Sequence, residues 1–358
     1  MSGVFHPRPN PIVAAMYTAR DMDVDVIVMH GPSGCSFMAS RPLENAGVRV
    51  VTSSMKDSDL IFGGGNSLER ALKEAKERFD PHTIAVIGTC ASTIIGDDIK
   101  AVIGRVDMGD TICFPIDCHG CLENNTEGAI RALTAGAKAG IIPKEEADRQ
   151  AKLLRAATAL ERTRGMTAKA YLSPAVSPTK LAVCRRIADT LSSGGKVAVV
   201  MLAKKELAYR FADMFAAVEE ARMKLGGKVF LVGNLDAEKG LPRIRRYCRD
   251  ILGDLGSNNV KMDRIIGGLD EYAVVGDAMA GEVEAFAPNL TVVLGICHGY
   301  PALGEDCILV TDQPRELRNY LQQGLSAVGE AGSHGMVMGA EHIVTLETAQ
   351  TLRELIRR

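Results

Sequence analysis

Three features of the sequence predict an α/β fold of two or three Rossmann-like units with parallel sheets. Short apolar runs of strand length alternate with helical stretches of about 10–15 residues, the pattern of βαβ units. Two of these runs, Val24–Met29 and Thr83–Thr89, lead through small and polar residues to a cysteine, in HGPSGC and GTC. After a stretch punctuated by Pro174 and Pro178 the alternation begins again.

The elements follow in order. Pro7, Pro9 and Pro11 keep the arm Met1–Pro11 out of regular helix or central strand, and it is expected to lie extended over another surface. Val24–Met29 is the first strand and Val48–Thr52 the second. Gly63-Gly64-Gly65 then leads into an amphipathic helix, Ser67–Phe79, which Pro81 stops. The third strand ends at Thr89, a helix after Cys90 carries Gly96, Asp97 and Asp98, and Thr111–Ile116 is the fourth strand. A long charged helix, Lys144–Arg164, closes a first domain of residues 1–165. Beyond the linker YLSPAVSPTK, strands are expected at Lys196–Ala203 and Lys228–Val232 around a helix at Glu206–Lys224, in a second domain of residues 166–285. Strands at Asn289–Ile296 and Cys307–Thr311, a helix at Gln313–Leu325 and a C-terminal helix make a third unit of residues 286–358.

Composition narrows the function. With 358 residues the chain can bury sizeable cores, and 42 Lys and Arg against 44 Asp and Glu leave a net charge of −2, which argues against nucleic-acid or cationic membrane-surface binding. No apolar run has the length of a membrane span and the N-terminus lacks a signal-peptide pattern, so a cytoplasmic location is expected. Nine scattered cysteines, an odd number, read as reduced thiols and metal ligands rather than as a disulfide framework.

The candidate chemistry lies in Cys35 and Cys90. Each follows the carboxyl end of a strand and stands near a helix start, where amides and the helix dipole favour the thiolate that binds metal. In an open α/β sheet the two would share the crevice beyond the strand ends. Either thiol alone is equally well read as a small buried hydrophobe, but the repeated context weighs against that. A competing set is Cys113, Cys118 and Cys121, whose C-x4-C-x2-C spacing is ferredoxin-like, while Cys118-His119-Gly120-Cys121 also suits a redox dithiol. Against it, Cys113 falls inside an apolar strand and a fourth partner is missing. The loop Cys118–Asn125 is expected to overhang the crevice, with His119 or Glu123 as candidate proton donors, although a solvated loop explains them as well. Cys184, Cys248, Cys297 and Cys307 read as core, with Cys297-His298 a minor candidate. Arg41, Arg49 and Lys56 lie near the motif and read as surface charges.

Other chemistries lack support. No segment fits GxxxxGK[ST], and the triple glycine does not have dinucleotide spacing. Neither HExxH nor GxSxG occurs.

Three segments carry a family resemblance: HGPSGC (His30–Cys35), VVTSSMKDSDLIFGGGNSLERAL (Val50–Leu72) and IGTCASTIIGDDI (Ile87–Ile99). They resemble the cluster-binding core of the nitrogenase superfamily, in which GPxGC and TC followed by xxxIGDD supply iron–sulfur ligands. The opening FHPRPNPI, the linker YLSPAVSPTK and KVAVVMLAKKELAYRFAD (Lys196–Asp213) are similar to the superfamily's branch of nickel-tetrapyrrole reductive cyclases. The resemblance implies a nitrogenase component 1-like fold and a 4Fe-4S cluster on Cys35 and Cys90. It implies ATP and Mg only through an iron-protein-like ATPase partner, and Ni-sirohydrochlorin a,c-diamide as the substrate, on the way to coenzyme F-430. Another nitrogenase-like reductase with a different substrate, or a non-catalytic iron–sulfur scaffold, would share the same cysteines.

The sequence departs from the nitrogenase pattern at one place. Nitrogenase-type subunits carry a third cysteine upstream of GPxGC, where this chain has Pro9-Asn10-Pro11. A cubane cluster needs four ligands and the matched motifs supply two per chain. The other two come either from Cys118 and Cys121, or from Cys35 and Cys90 of a second chain across a two-fold axis. Symmetry favours the homodimer.

Overall fold

The computed structural model describes residues 10–35, 37–164, 178–331 and 337–357. The expectation of an extended arm before Pro11 and most of the expected linker therefore lie outside the described residues. The chain divides into two compact units: Phe5–Thr158 with Leu241–Arg243, and Ala159–Gly240 with Ile244–Arg358.

The first unit opens with a helix absent from the sequence-based expectation, α1 (Pro11–Asp21). Asn10 caps it by accepting a hydrogen bond from Val13 N at 3.0 Å, and Pro11 occupies the first turn, where its missing N–H costs nothing. Every residue of α1 is buried, including Arg20 and Asp21, which neutralise each other at 2.6 Å.

The strands β1 (Val26–His30), β2 (Arg49–Thr52), β3 (Thr83–Gly88) and β4 (Ile112–Ile116) form one parallel sheet in the order β2-β1-β3-β4. Around it run α2 (Phe37–Asn45), α3 (Asp57–Phe62), α4 (Gly65–Phe79), α5 (Cys90–Ile94), α6 (Ile99–Ile103), α7 (Asn125–Lys138) and α8 (Lys144–Arg164). Val26, Val28, Ile84 and Val86 bury one face of the sheet against Leu68 and Leu72 of α4 and Val102 of α6. α7, also unanticipated, packs against α1 through small residues. A Cβ at Gly128 would fall 2.0 Å from the Pro11 carbonyl oxygen, and one at Gly136 would fall 2.4 Å from Met22 Sδ.

The helix expected after Cys90 is broken. α5 ends at Ile94, Gly96 takes a left-handed φ of +74°, and α6 starts afresh with Asp98 as its N-cap. Asp97 is left in the connection between the two helices.

In the second unit the strands β5 (Lys196–Leu202), β6 (Lys228–Gly233), β7 (Arg264–Ile265), β8 (Leu290–Gly295), β9 (Cys307–Thr311) and β10 (Ser326–Gly329) form one parallel sheet in the order β10-β9-β8-β5-β6-β7. Its helices are α9 (Pro178–Ser192), α10 (Ala208–Phe211), α11 (Asp213–Leu225), α12 (Pro242–Ser257), α13 (Gly276–Phe286), α14 (Pro314–Gln322) and a C-terminal helix, Glu347–Arg357. The third unit expected from residue 286 does not stand apart. β8 pairs with β5 from Val197↔Leu290 to Leu202↔Gly295, so residues 286–358 complete the sheet that residues 196–265 begin. A strand hydrogen-bonded along its whole length to the centre of a sheet shares that sheet's core and cannot form another. Read from β7, the order is third, second, first, fourth, fifth, sixth, that of doubly wound dinucleotide-binding sheets. The turn after β5, however, is Ala203-Lys204-Lys205-Glu206, without the glycines that let a pyrophosphate approach.

Candidate functional site

In the first sheet the strand order reverses between the parallel neighbours β1 and β3, its topological switch point. β1 ends at His30, Gly31 and Pro32 follow, and a single 3-10 turn, Ser33–Cys35, carries the first thiol. β3 ends at Gly88, Thr89 caps α5, and Cys90 is the first residue of that helix. Thr89 Oγ1 donates to the His30 carbonyl at 2.9 Å and so joins the two loops. A side chain at position 31 would meet Thr89 Oγ1 at 2.2 Å, so glycine is needed for that junction.

Cys35 is exposed and Cys90 half-buried, both as free thiols. The expected lowering of the thiol pKa by a helix start is not found at Cys35. Desolvation and then the negative charge of Cys90 push its pKa up, because the thiol sits in a 3-10 turn and close enough to Cys90 to feel its charge. A cationic metal group between the two sulfurs would remove that penalty. The backbone N–H of Gly120 donates to Cys90 Sγ at 3.1 Å. A Cβ there would lie 3.0 Å from the sulfur and 3.9 Å from Ile12 Cδ1, so α1 and the loop after β4 meet at Cys90. Arg131 of α7 anchors that loop through the Asp117 carbonyl at 2.9 Å and carboxylate at 3.1 Å.

Sequence reasoning missed a polar network beneath the thiols. His30 is wholly buried. Its Nδ1 lies 3.0 Å from Ser53 Oγ, and its Nε2 lies 2.9 Å from Asp97 Oδ2. The Asp97 carboxylate also accepts from Gly64 N at 3.0 and 3.1 Å, and Ser53 Oγ accepts from Gly31 N at 3.1 Å. One imidazole thus links the loops after β1 and β2, the start of α4 and the break after α5. The glycine run is explained here: a Cβ at Gly64 would stand 2.7 Å from Asp97 Oδ2 and 3.0 Å from His30 Cε1. The readable signal was a histidine closing an apolar strand directly before GPSGC.

Of the competing cysteines, Cys118 stands close enough to Cys90 to feel its charge. Cys118 is wholly buried, and burial pushes its pKa up to about 12, as it does for Cys113. Cys121 is exposed. Among the described residues no three His, Cys, Asp or Glu side chains are grouped to hold a metal. His119 is half-buried and its carbonyl accepts from Leu122 N at 3.5 Å, while Glu123 is exposed. The loop reaches Cys90 through the Gly120 backbone. Cys184, Cys248, Cys297 and Cys307 are buried in the second unit. Arg41, Arg49 and Lys56 are exposed, and Arg49 lies over the Phe79 ring at 5.9 Å.

Large apolar side chains stand in water on the segments that carry the thiols and on α3. Phe37 follows Cys35 by two residues and is 76% exposed, Ile94 in the helix of Cys90 is 83% exposed, and Ile61 and Phe62, before the glycine run, are 74% and 86% exposed. No helix among the described residues is long and apolar enough to cross a membrane.

Comparison with known proteins bears on this arrangement. The family described as Nitrogenase component 1 type Oxidoreductase matches residues 11–159, the segment that contains both thiols. Component CfbD of the Ni-sirohydrochlorin a,c-diamide reductive cyclase complex from Methanothermobacter thermautotrophicus is 39% identical over 358 residues, covering 99% of each chain. The same component from Methanosarcina acetivorans is 37% identical over 99% of this chain and 98% of its own. Among solved structures, nitrogenase Cp1 at pH 5 aligns over 100% of this chain and 89% of its own at 15% identity, with a TM-score of 0.36. Similarity of this extent to the two cyclase components, carried from end to end, shows that the chain belongs to the family of Ni-sirohydrochlorin a,c-diamide reductive cyclase component CfbD.

Proposed function

We propose that this chain is the substrate-reducing component of a Ni-sirohydrochlorin a,c-diamide reductive cyclase. It takes single electrons from an ATP-hydrolysing partner resembling the nitrogenase iron protein, and reduces and cyclises the nickel tetrapyrrole in coenzyme F-430 biosynthesis. The observation that carries this reading is the pair of thiols at the β1/β3 switch point, in a chain that aligns end to end with cyclase components.

The donor set fits a metal–sulfur group: two free thiols on joined loops, one raised in pKa by burial and then by its neighbour, and a backbone N–H aimed at the other. A 4Fe-4S cluster bound there supplies one-electron transfer at a potential set by its ligands, burial and hydrogen bonds. Cys35 and Cys90 are its ligands, and the same pair from a second copy completes the set in a homodimer. The exposed Phe37, Ile61, Phe62 and Ile94 support that contact, since a two-fold axis lays identical apolar surfaces against each other. Thr89 and Gly31 hold the two thiol loops in register, and Gly120 covers the sulfur of Cys90. His119 and Glu123 remain the candidate proton donors of the covering loop. ATP and Mg act only on the partner, and the assembly works in the cytoplasm.

The test is anaerobic incubation of the iron-loaded protein with Ni-sirohydrochlorin a,c-diamide, reductant, ATP, Mg and the iron-protein partner, followed by absorption spectroscopy. The tetrapyrrole bands are expected to change only when both components and ATP are present. Unchanged bands in the complete mixture overturn the reading.

A further inference from the structure

The second sheet has a switch point of its own, between β5 and β8. In doubly wound sheets ligands bind beyond the strand ends at such a point. Here the loop after β7, residues 266–275, crosses those ends in sequence. Asn234, after β6, donates to the Gly268 carbonyl at 3.0 Å, and Lys205, after β5, donates its N–H to the Leu269 carbonyl at 3.1 Å. Tyr272 Oη then reaches His298 Nε2, after β8, at 2.6 Å. Gly276 closes the span against Gly299: a Cβ there would fall 1.6 Å from the Gly299 carbonyl oxygen, so that crossing requires glycine.

The polar groups gathered at this mouth exceed what the crossing requires. Lys205 holds a left-handed φ of +45°, rare for a side-chain-bearing residue, and pairs with Glu271 at 2.9 Å. His298 turns Nδ1 toward Glu316 Oε2 at 3.4 Å. Lys204 is half-buried in the turn after β5, and its ammonium has no hydrogen-bond or ion-pair partner among the described residues. A dinucleotide is excluded as the occupant, because the turn that would cradle its pyrophosphate holds two lysines and a buried glutamate in place of glycines.

We infer that the β5/β8 switch point is a second binding site, for a carboxylate-bearing ligand, with Lys204 as the carboxylate partner and the Tyr272–His298 pair as hydrogen-bonding wall. Resting on the proposed function, the inference assigns to this site an acidic edge of the tetrapyrrole substrate. A single unpaired ammonium beside a tyrosine–histidine hydrogen bond suits one carboxylate on a large, mostly apolar ring system better than a multiply charged phosphate.

The test is an anaerobic absorption titration of the full, iron-loaded protein with Ni-sirohydrochlorin a,c-diamide, without partner or ATP. Lys204→Gln is expected to raise Kd about tenfold, the loss of one charge-assisted hydrogen bond, and to flatten the salt dependence of binding. Tyr272→Phe is expected to raise Kd severalfold. Iron content and melting temperature, measured on the same samples, confirm that each variant is folded and loaded. Wild-type binding with both variants within twofold of it overturns the inference and leaves the proposed function standing. Absence of wild-type binding overturns the proposed function and this site with it.

Discussion

The Gly120 N–H donates to Cys90 Sγ at 3.1 Å, from a position where even one methyl group would press to 3.0 Å from that sulfur. In Gly120→Ala the loop must retreat and the bond is lost. An N–H aimed at a cluster sulfur favours the more negative, reduced state, so the variant's midpoint potential should fall. A bond of about 1 kcal/mol corresponds to about 40 mV for a one-electron couple. A redox titration followed by electron paramagnetic resonance measures this, and an unchanged potential would mean that Gly120 does not reach the sulfur in the loaded protein.

Asp97 and Asp98 should not be metal ligands, since both carboxylates are used locally. Asp97 receives Gly64 N and bonds His30, while Asp98 accepts from Ala101 N at 2.9 Å as a helix cap. Asp97→Asn and Asp98→Asn should each keep wild-type iron content and cluster absorption. Truncation to alanine should cost about 1 kcal/mol at position 98, the loss of a cap, and about 1–3 kcal/mol at position 97, where a buried partner is stranded. Iron loss in Asp97→Asn as deep as in Cys90→Ser would show that the ligand set is wrong.

His30 should make the first unit sensitive to acid. Burial disfavours its imidazolium and lowers its pKa below the usual 6.5, and the opposing hydrogen bond and charge of Asp97 do not outweigh that. Below pH 6.5 the unfolded chain therefore takes up a proton that the folded chain refuses. The contribution of His30 is complete above the unfolded value and is lost as pH falls from there through the lowered folded value. Melting temperatures measured between about pH 7 and pH 5 should decline more steeply in wild type than in His30→Gln. Parallel declines would remove His30 as the cause.

Much of this site was legible because strands are local. Val24–Met29 and Thr83–Thr89 announce themselves by apolar runs, and the thiols that follow sit at strand ends whatever the sheet order. The order itself is set by pairings across long sequence separations, so neither switch point could be read. Nor could the merging of β8 with β5, which removed the expected third unit. α1 was hidden by the run of prolines that leads into it, although Asn10-Pro11 is a capping signal. The role of Gly63-Gly64-Gly65 depended on Asp97, which became visible only once Gly96 broke the helix. Cys118 carried a persuasive spacing, yet its burial is a property of the packed loop.

The chain alone should neither bind nor hydrolyse ATP appreciably, because no strand end carries a P-loop and the turn of the dinucleotide-type sheet lacks its glycines. Isothermal titration and a phosphate-release assay on the purified single component check this. Robust turnover would contradict a two-component enzyme.

The ligand count leads to the final prediction. Each chain offers Cys35 and Cys90 on joined loops, while Cys118 is buried with a pKa of about 12 and suits core packing better than metal binding. A cubane takes four ligands, so two chains meeting at a two-fold axis complete one cluster, and anaerobic protein should contain about four irons per two chains. The apolar surface beside the thiols becomes the seam of that contact, and a charge there opposes it: Phe62→Lys or Ile94→Glu should shift the dimer toward monomer in analytical ultracentrifugation and lose iron with it. Cys35→Ala and Cys90→Ala should lose the cluster and weaken the dimer, while Cys118→Ala should keep both. Two clusters per dimer, or a cluster that survives Cys35→Ala and disappears in Cys118→Ala, would move the site to the loop after β4 and leave the apolar seam without a cluster to enclose.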